Sequence, residues 1–231
     1  MRIDGESPRP SDGVILLHGI SRTSRSLRRM QAAIEASAFV TLNLDYPSRR
    51  KALASLADDL HAAIEGFAHG IGGSIHFVGH SMGGLLARAY IAKYRPERLG
   101  RVVMLGTPNS GSEIADRLKN FFAYRAYFGP AGQQLVTQRN AATDAILPRI
   151  DYPVGVIAGN RSVYPIASAL LLPRPNDGRV SVKNTRLDGM TDHVVIRASH
   201  PWMVRNRVAV EQTIAFLRTG RFDAGRGDDS Y

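Results

Sequence analysis

The sequence predicts an α/β fold: a mostly parallel sheet with helices on both faces and a short helical cap insertion. Three observations carry that expectation. Short apolar runs alternate with amphipathic stretches along most of the chain, as parallel strands covered by helices do. The 231 residues are 44% hydrophobic and 22% charged, which supplies a sizeable core for one domain. No run of 18 or more apolar residues interrupts the pattern, so nothing reads as a membrane span. The expected organisation is one domain over residues 1–222, with the cap insertion at about 109–150, followed by a polar tail over 223–231.

The elements follow in order. Val14 to Leu17 reads as a strand ending at His18-Gly19, and a helix follows from about Ser24 to Ser37. Phe39 to Leu44 is the next strand, closed by Asp45-Tyr46-Pro47. Leu53, Leu56, Leu60, Ala63, Ile64 and Phe67 recur at spacings of three and four, one face of a helix that Gly70 to Gly73 ends. Ile75 to Val78 is a strand. Met82, Leu85, Leu86, Ala89 and Tyr90 then trace a helical face, with Pro96 just beyond it. Arg101 to Gly106, Val154 to Ala158 and His193 to Arg197 read as further strands. A last helix carries Val204, Val208, Ile214 and Leu217 and stops at Gly220. Two segments break the alternation, Asn109 to Ile150 and Asn160 to Gly189, and excursions of that length in a compact domain usually carry function or disorder.

Composition removes several classes of function. Cysteine is absent, so disulfide frameworks, thiolate nucleophiles and Cys-based metal sites are excluded. The polar start, Met1 to Gly13, does not read as a signal peptide, which makes the cytoplasm the expected location. The net charge is +10, carried by 26 arginines and only four lysines. That balance allows peripheral contact with an anionic lipid surface. Only Arg22, Arg25, Arg28 and Arg29 cluster, and no helix-turn-helix, RNP or zinc-finger signature accompanies the charge, so nucleic acid is not expected as a partner. The Gly70 to Gly73 stretch precedes a strand and reads as a turn, not a dinucleotide fingerprint. With no carboxylate-rich calcium loop either, neither a cofactor nor a metal is expected.

Chemistry concentrates at Gly79-His80-Ser81-Met82-Gly83, which fits G-x-S-x-G. From 22 glycines and 17 serines, chance alone gives about 0.15 such matches in a chain of this length, so the motif needs context. Its context is the end of an apolar strand and the start of an amphipathic helix, where a sharp turn stands the serine at its apex. Flanking glycines permit that close backbone approach, and the helix N-terminus aims free N–H groups at any oxyanion formed there. A serine that merely caps the helix is the alternative.

With these residues in view, the chain resembles the α/β-hydrolase family, and within it the bacterial lipases and esterases. The resemblance runs from about Val14 to Phe222. It rests on His18-Gly19 after the first strand, on Gly79 to Gly84, and on Gly106-Thr-Pro-Asn-Ser-Gly-Ser112 followed by Ala115-Asp116. Asn176-Asp-Gly-Arg-Val180 is similar to the family's acid loop, and Ser199-His200 to its histidine loop.

A serine nucleophile needs a base and a group that orients the base. His193 and His200 both follow Ser81. His193 opens a strand and belongs at the opposite sheet edge, whereas His200 follows that strand's end, on the edge where open parallel sheets gather their chemistry. His200 is therefore the expected base, and a histidine that caps the last helix is the alternative. Asp144, Asp151, Asp177, Asp188 and Asp192 all lie between the serine and His200, and turn chemistry accounts for Asp177-Gly178 equally well. The resemblance selects Asp177, with Asp188 and Asp192 as substitutes. It also implies an oxyanion hole formed by the backbone amides of Ile20 and Met82, with His18 and Gly19 supporting the Ile20 loop.

Phe121 to Phe128 holds five of the 17 aromatic residues, and Phe121, Tyr124 and Phe128 repeat at three and four. One helical face there would be aromatic, suited to an acyl chain beneath a cap or simply to packing on the core. Ala167 to Leu172 carries the same two readings. The missing signal peptide, the missing cysteines and the short cap depart from secreted lipases. The resemblance thus implies a serine hydrolase for small-molecule or lipid carboxylic esters with an apolar acyl or alcohol part. Rivals are an acyl thioesterase or acyltransferase on the same triad, and a non-catalytic binding protein of the same fold.

Overall fold

The computed structural model describes residues 11–138 and 140–224. The polar start before Ser11 and the expected tail beyond 224 lie outside the described residues. Six parallel strands form one sheet in the order β2-β1-β3-β4-β5-β6. They are β1 Gly13–Leu17, β2 Val40–Leu44, β3 Ile75–His80, β4 Leu99–Leu105, β5 Val154–Gly159 and β6 Asp192–Ile196. All six fall where the apolar runs lie, and every pairing is parallel, which sharpens the mostly parallel expectation.

Helices cover both faces. On one side pack α2 (Leu53–His69) and α3 (Met82–Tyr94); on the other pack α1 (Arg28–Glu35) and α9 (Arg207–Thr219). The strand period of two divides the core between them. Ile15, Leu17, Phe77, Val102 and Met104 face α2 and α3, while Val14, Leu16, Val78, Val103 and Leu105 face α1 and α9. β1, β3 and β5 are buried along their whole length, as strands covered on both faces must be.

Two helix starts differ from the periodic reading. Ser24–Leu27 is a 3-10 turn ahead of α1, and Met203–Arg205 another ahead of α9, so Val204 precedes the last helix rather than lying in it. Asn206 caps α9 by accepting a hydrogen bond from the Ala209 amide. Gly220 closes it in the left-handed region.

The two long excursions carry the short helices. The first holds α4 (Glu113–Leu118), α5 (Phe122–Gln133) and α6 (Ala141–Ile146). The second holds α7 (Pro165–Leu171) and α8 (Val182–Thr185). The aromatic segment is broken: Gly129 has φ +60° and a Cβ there would sit 1.7 Å from the Arg49 carbonyl oxygen, so α5 kinks before Pro130. From β1 the chain first moves to β2 at one edge and then returns to β3 on the other side of β1. That reversal opens a crevice at the carboxyl ends of β1 and β3, the place such sheets use for ligands. No described helix is long and apolar enough to cross a membrane.

Candidate active site

At the carboxyl end of β3 the backbone turns within one residue into α3. Ser81 sits on that turn with φ +55° and ψ −124°, a conformation few non-glycine residues adopt. What over-determines it is close packing behind the serine. A Cβ on Gly79 would lie 2.5 Å from Gly84 Cα, and one on Gly83 would lie 2.1 Å from the Leu17 carbonyl oxygen. The Ser81 amide donates to the Leu105 carbonyl at 2.8 Å, and the Thr107 hydroxyl donates to the Ser81 carbonyl at 3.0 Å. Both neighbours come from the end of β4.

His200 reaches the serine from the loop after β6. Its Nε2 lies 3.0 Å from Ser81 Oγ, placed to accept the hydroxyl proton, and its Nδ1–H donates to Asp177 Oδ2 at 2.7 Å. The His200 amide also donates to the Asp177 carbonyl at 2.9 Å, so ring and main chain are held by the same residue. Asp177 is 1% exposed. Its other oxygen, Oδ1, accepts the amides of Arg179 at 2.9 Å and Val180 at 2.8 Å, and Gly178 takes the left-handed conformation that the turn needs. Both carboxylate oxygens are thus supplied with donors, one from the imidazole and the other from the backbone.

The other aspartates after Ser81 are engaged or placed elsewhere. Asp151 pairs with Arg95 at 2.8 Å, Asp192 Oδ2 accepts the Phe222 amide at the start of β6, and Asp188 is exposed. His193 bonds Thr185 Oγ1 at 3.1 Å, and burial lowers its pKa to about 4.

The loop after β1 closes the third side. A Cβ on Gly19 would come within 3.1 Å of His80 Nδ1 and 3.2 Å of Ser81 Cβ, tighter than ordinary contact, so glycine lets this loop lie close against Ser81. His18 braces it: its Nδ1–H donates to the Gly19 carbonyl at 2.9 Å, and its ring stacks on Tyr46 at 4.0 Å. The Tyr46 hydroxyl donates to the His18 carbonyl, and the Ser21 amide donates to Ser48 Oγ at 3.1 Å. Burial lowers the His18 pKa, so the ring braces the loop as a neutral group. Ile20 lines the cavity beside Ser81, and the Met82 amide, the first of α3, has no acceptor within its own helix.

One residue with no role assigned from sequence belongs to this assembly. His80 is buried between Ser81 and His200, and its Nε2–H donates to the His200 carbonyl at 3.1 Å. Burial holds its pKa well below the usual histidine range, so it is a neutral strut for the histidine loop. Its place inside the serine motif was the available signal; the reach to residue 200 was not visible. The same holds for Tyr46, which the sequence shows only as part of a strand end.

Two cavities meet at Ser81 and His200. An apolar groove of about 100 Å³ runs beneath the first excursion, lined by Ile114, Leu118, Tyr124, Phe128 and Leu135. Tyr124 and Phe128 face each other at 4.7 Å. Phe121 is 61% exposed and does not line this groove, because α5 begins after it. In the second excursion Leu172 is buried, whereas Ile166 and Leu170 face outward from α7. The second cavity, about 280 Å³, is polar and includes Arg22, Tyr127 and Arg179. Among the described residues no group of three or more His, Asp or Glu could hold a metal ion.

The fold is shared with known proteins. Residues 12–141 match the family described as "alpha/beta hydrolase fold". A triacylglycerol lipase of Pseudomonas fragi is 46% identical over 48 residues, 21% of this chain and 16% of that one. The mature form of the Bacillus licheniformis lipase BlEst2 superposes with a TM-score of 0.74 at 19% identity, covering 94% of this chain and 96% of that chain. A structure from a study of LipS and LipT, two metagenome-derived lipolytic enzymes, gives 0.65 at 17% identity, covering 94% and 99%.

Proposed function

Since this chain belongs to the α/β-hydrolase fold family, we propose that it is a serine hydrolase of carboxylic esters with an apolar acyl or alcohol part. The observation that carries the reading is the unbroken relay from Ser81 Oγ through the His200 ring to Asp177, at 3.0 and 2.7 Å.

In this reading Ser81 Oγ attacks the ester carbonyl carbon while its proton passes to His200 Nε2. The carbonyl oxygen becomes an oxyanion that accepts hydrogen bonds from the Ile20 and Met82 amides, each donor worth about 3 kcal/mol to the transition state. As the tetrahedral adduct collapses, the bond to the alcohol oxygen breaks and His200 returns the proton to that oxygen. Water then attacks the acyl-serine, again losing a proton to His200, and releases the carboxylic acid and the free serine. Asp177 holds the imidazole with Nδ1 protonated, which leaves Nε2 able to accept. The apolar groove under α4 and α5 suits the acyl chain.

An organophosphonate probe tests the nucleophile directly. It should inactivate the protein in one-to-one stoichiometry, and peptide mapping should put the adduct on Ser81. An adduct on another residue, or none on folded protein, would overturn the assignment.

A further inference from the structure

The polar cavity beside Ser81 is unusual in its charge. Arg22 and Arg179 both line it, and no Asp or Glu does. Each arginine is held at its backbone by a turn beside Ser81, and for Arg179 that turn is the one that holds Asp177. The Arg22 amide donates to the Gly19 carbonyl at 3.2 Å, and the Arg179 amide to Asp177 Oδ1 at 2.9 Å. Their guanidinium groups form no ion pair and no side-chain hydrogen bond among the described residues. Arg95 and Arg207, by contrast, are paired to Asp151 and Glu211. The negative charge of Asp177 is buried and already engaged by His200 and two amides. The Ser21 hydroxyl, also in this cavity, is buried without a partner. A neighbouring cavity of about 140 Å³ shares Arg22, His80 and Pro201 with it and is lined also by Arg205, whose guanidinium lies 5.7 Å from the Trp202 ring centroid.

We propose that this polar lobe is the leaving-group subsite and that it takes an alcohol or thiol bearing a phosphate group. The inference rests on the hydrolase reading and deepens it. The two sides of Ser81 differ in chemistry: mostly apolar under α4 and α5, where Arg179 also lines the groove, and cationic between the Gly19–Arg22 loop and the Asp177 turn, where Arg22 joins it. An acyl chain belongs in the first, which leaves the second for the group that His200 protonates. Planar guanidinium groups without carboxylate partners are suited to bidentate contact with phosphate oxygens. The unpaired Ser21 hydroxyl adds a neutral donor on the same wall. Hydrolysis itself is unchanged: the acyl–oxygen or acyl–sulfur bond breaks, and the phosphorylated alcohol or thiol leaves with the proton from His200.

The test compares matched soluble substrates that share a short acyl chain. One pair is an acylglycerol and its acylglycerol 3-phosphate; the other is an acyl N-acetylcysteamine thioester and the acyl-coenzyme A. The quantity read is the ratio of kcat/KM, phosphorylated over neutral, which does not depend on how much protein is folded. Wild type should prefer the phosphorylated member of at least one pair, and that pair distinguishes a phospholipid-type from a phosphorylated-thiol leaving group. Arg22→Gln and Arg179→Gln should each lower the ratio about tenfold, as loss of one charge-assisted contact does. Lys93→Gln removes the same charge near the far end of α3, about 17 Å from Ser81, and should leave the ratio as in wild type. A wild-type ratio near one, or a ratio equally lowered by Lys93→Gln, would overturn the subsite. No turnover of either member of either pair would overturn the hydrolase reading, and this inference with it.

Discussion

Ser81→Ala should lower ester turnover by roughly five to six orders of magnitude while leaving the protein folded. The side-chain oxygen is lost outright, and among the described residues no other hydroxyl is hydrogen-bonded to His200 Nε2. What remains is the oxyanion pocket and substrate binding, which act on attack by water. The fold should tolerate the change because its demands at this position are on the backbone. Gly79, Gly83, the Ser81 amide to Leu105 and the Thr107 bond to the Ser81 carbonyl hold the turn, and none involves the serine side chain. Initial rates on p-nitrophenyl butyrate, with circular dichroism on the same samples, decide the matter. Residual activity above a few per cent would remove Ser81 from the nucleophile's role.

Asp177→Asn should lower kcat by about four orders of magnitude with little change in thermal stability. The asymmetry of the carboxylate's contacts explains why. Oδ1 accepts two backbone amides, so an asparagine must keep its oxygen there and turn its NH2 group toward His200. An N–H facing Nδ1 favours the imidazole tautomer with its proton on Nε2, which cannot accept from Ser81. Ser81 and the Ile20 and Met82 amides stay in place, so KM should change little. A loss of tenfold or less in kcat would show that Asp177 is a structural turn residue and that the base is oriented by something else.

Much of this arrangement is legible in the amino-acid sequence itself. β1, β3 and β5 show as short apolar runs because burial on both faces removes the polar alternation that blurs strand boundaries elsewhere. The serine turn was legible because its geometry excludes side chains at positions 79 and 83, so composition itself records the shape. Asp177 was harder. Six aspartates lie between the serine and His200, and what separates them is tertiary: which one has its carboxylate beside the histidine rather than beside an arginine or a strand end. The aromatic face over residues 121–128 was half legible. Period placed Tyr124 and Phe128 together but could not reveal the helix start after Phe121, nor the kink at Gly129 imposed by Arg49. His80 and Tyr46 were invisible as supports, since each acts on a carbonyl that reaches it only through the fold. The unpaired state of Arg22 and Arg179 was equally beyond reach, because 26 arginines look alike until their partners are known.

Release of p-nitrophenol from an ester series running from acetyl to palmitoyl decides whether the chain hydrolyses carboxylic esters. The purified wild-type protein should turn over at least the shorter members, with an optimum in chain length set by the groove beside Tyr124 and Phe128. Folded protein that releases no p-nitrophenol at any length would contradict the account.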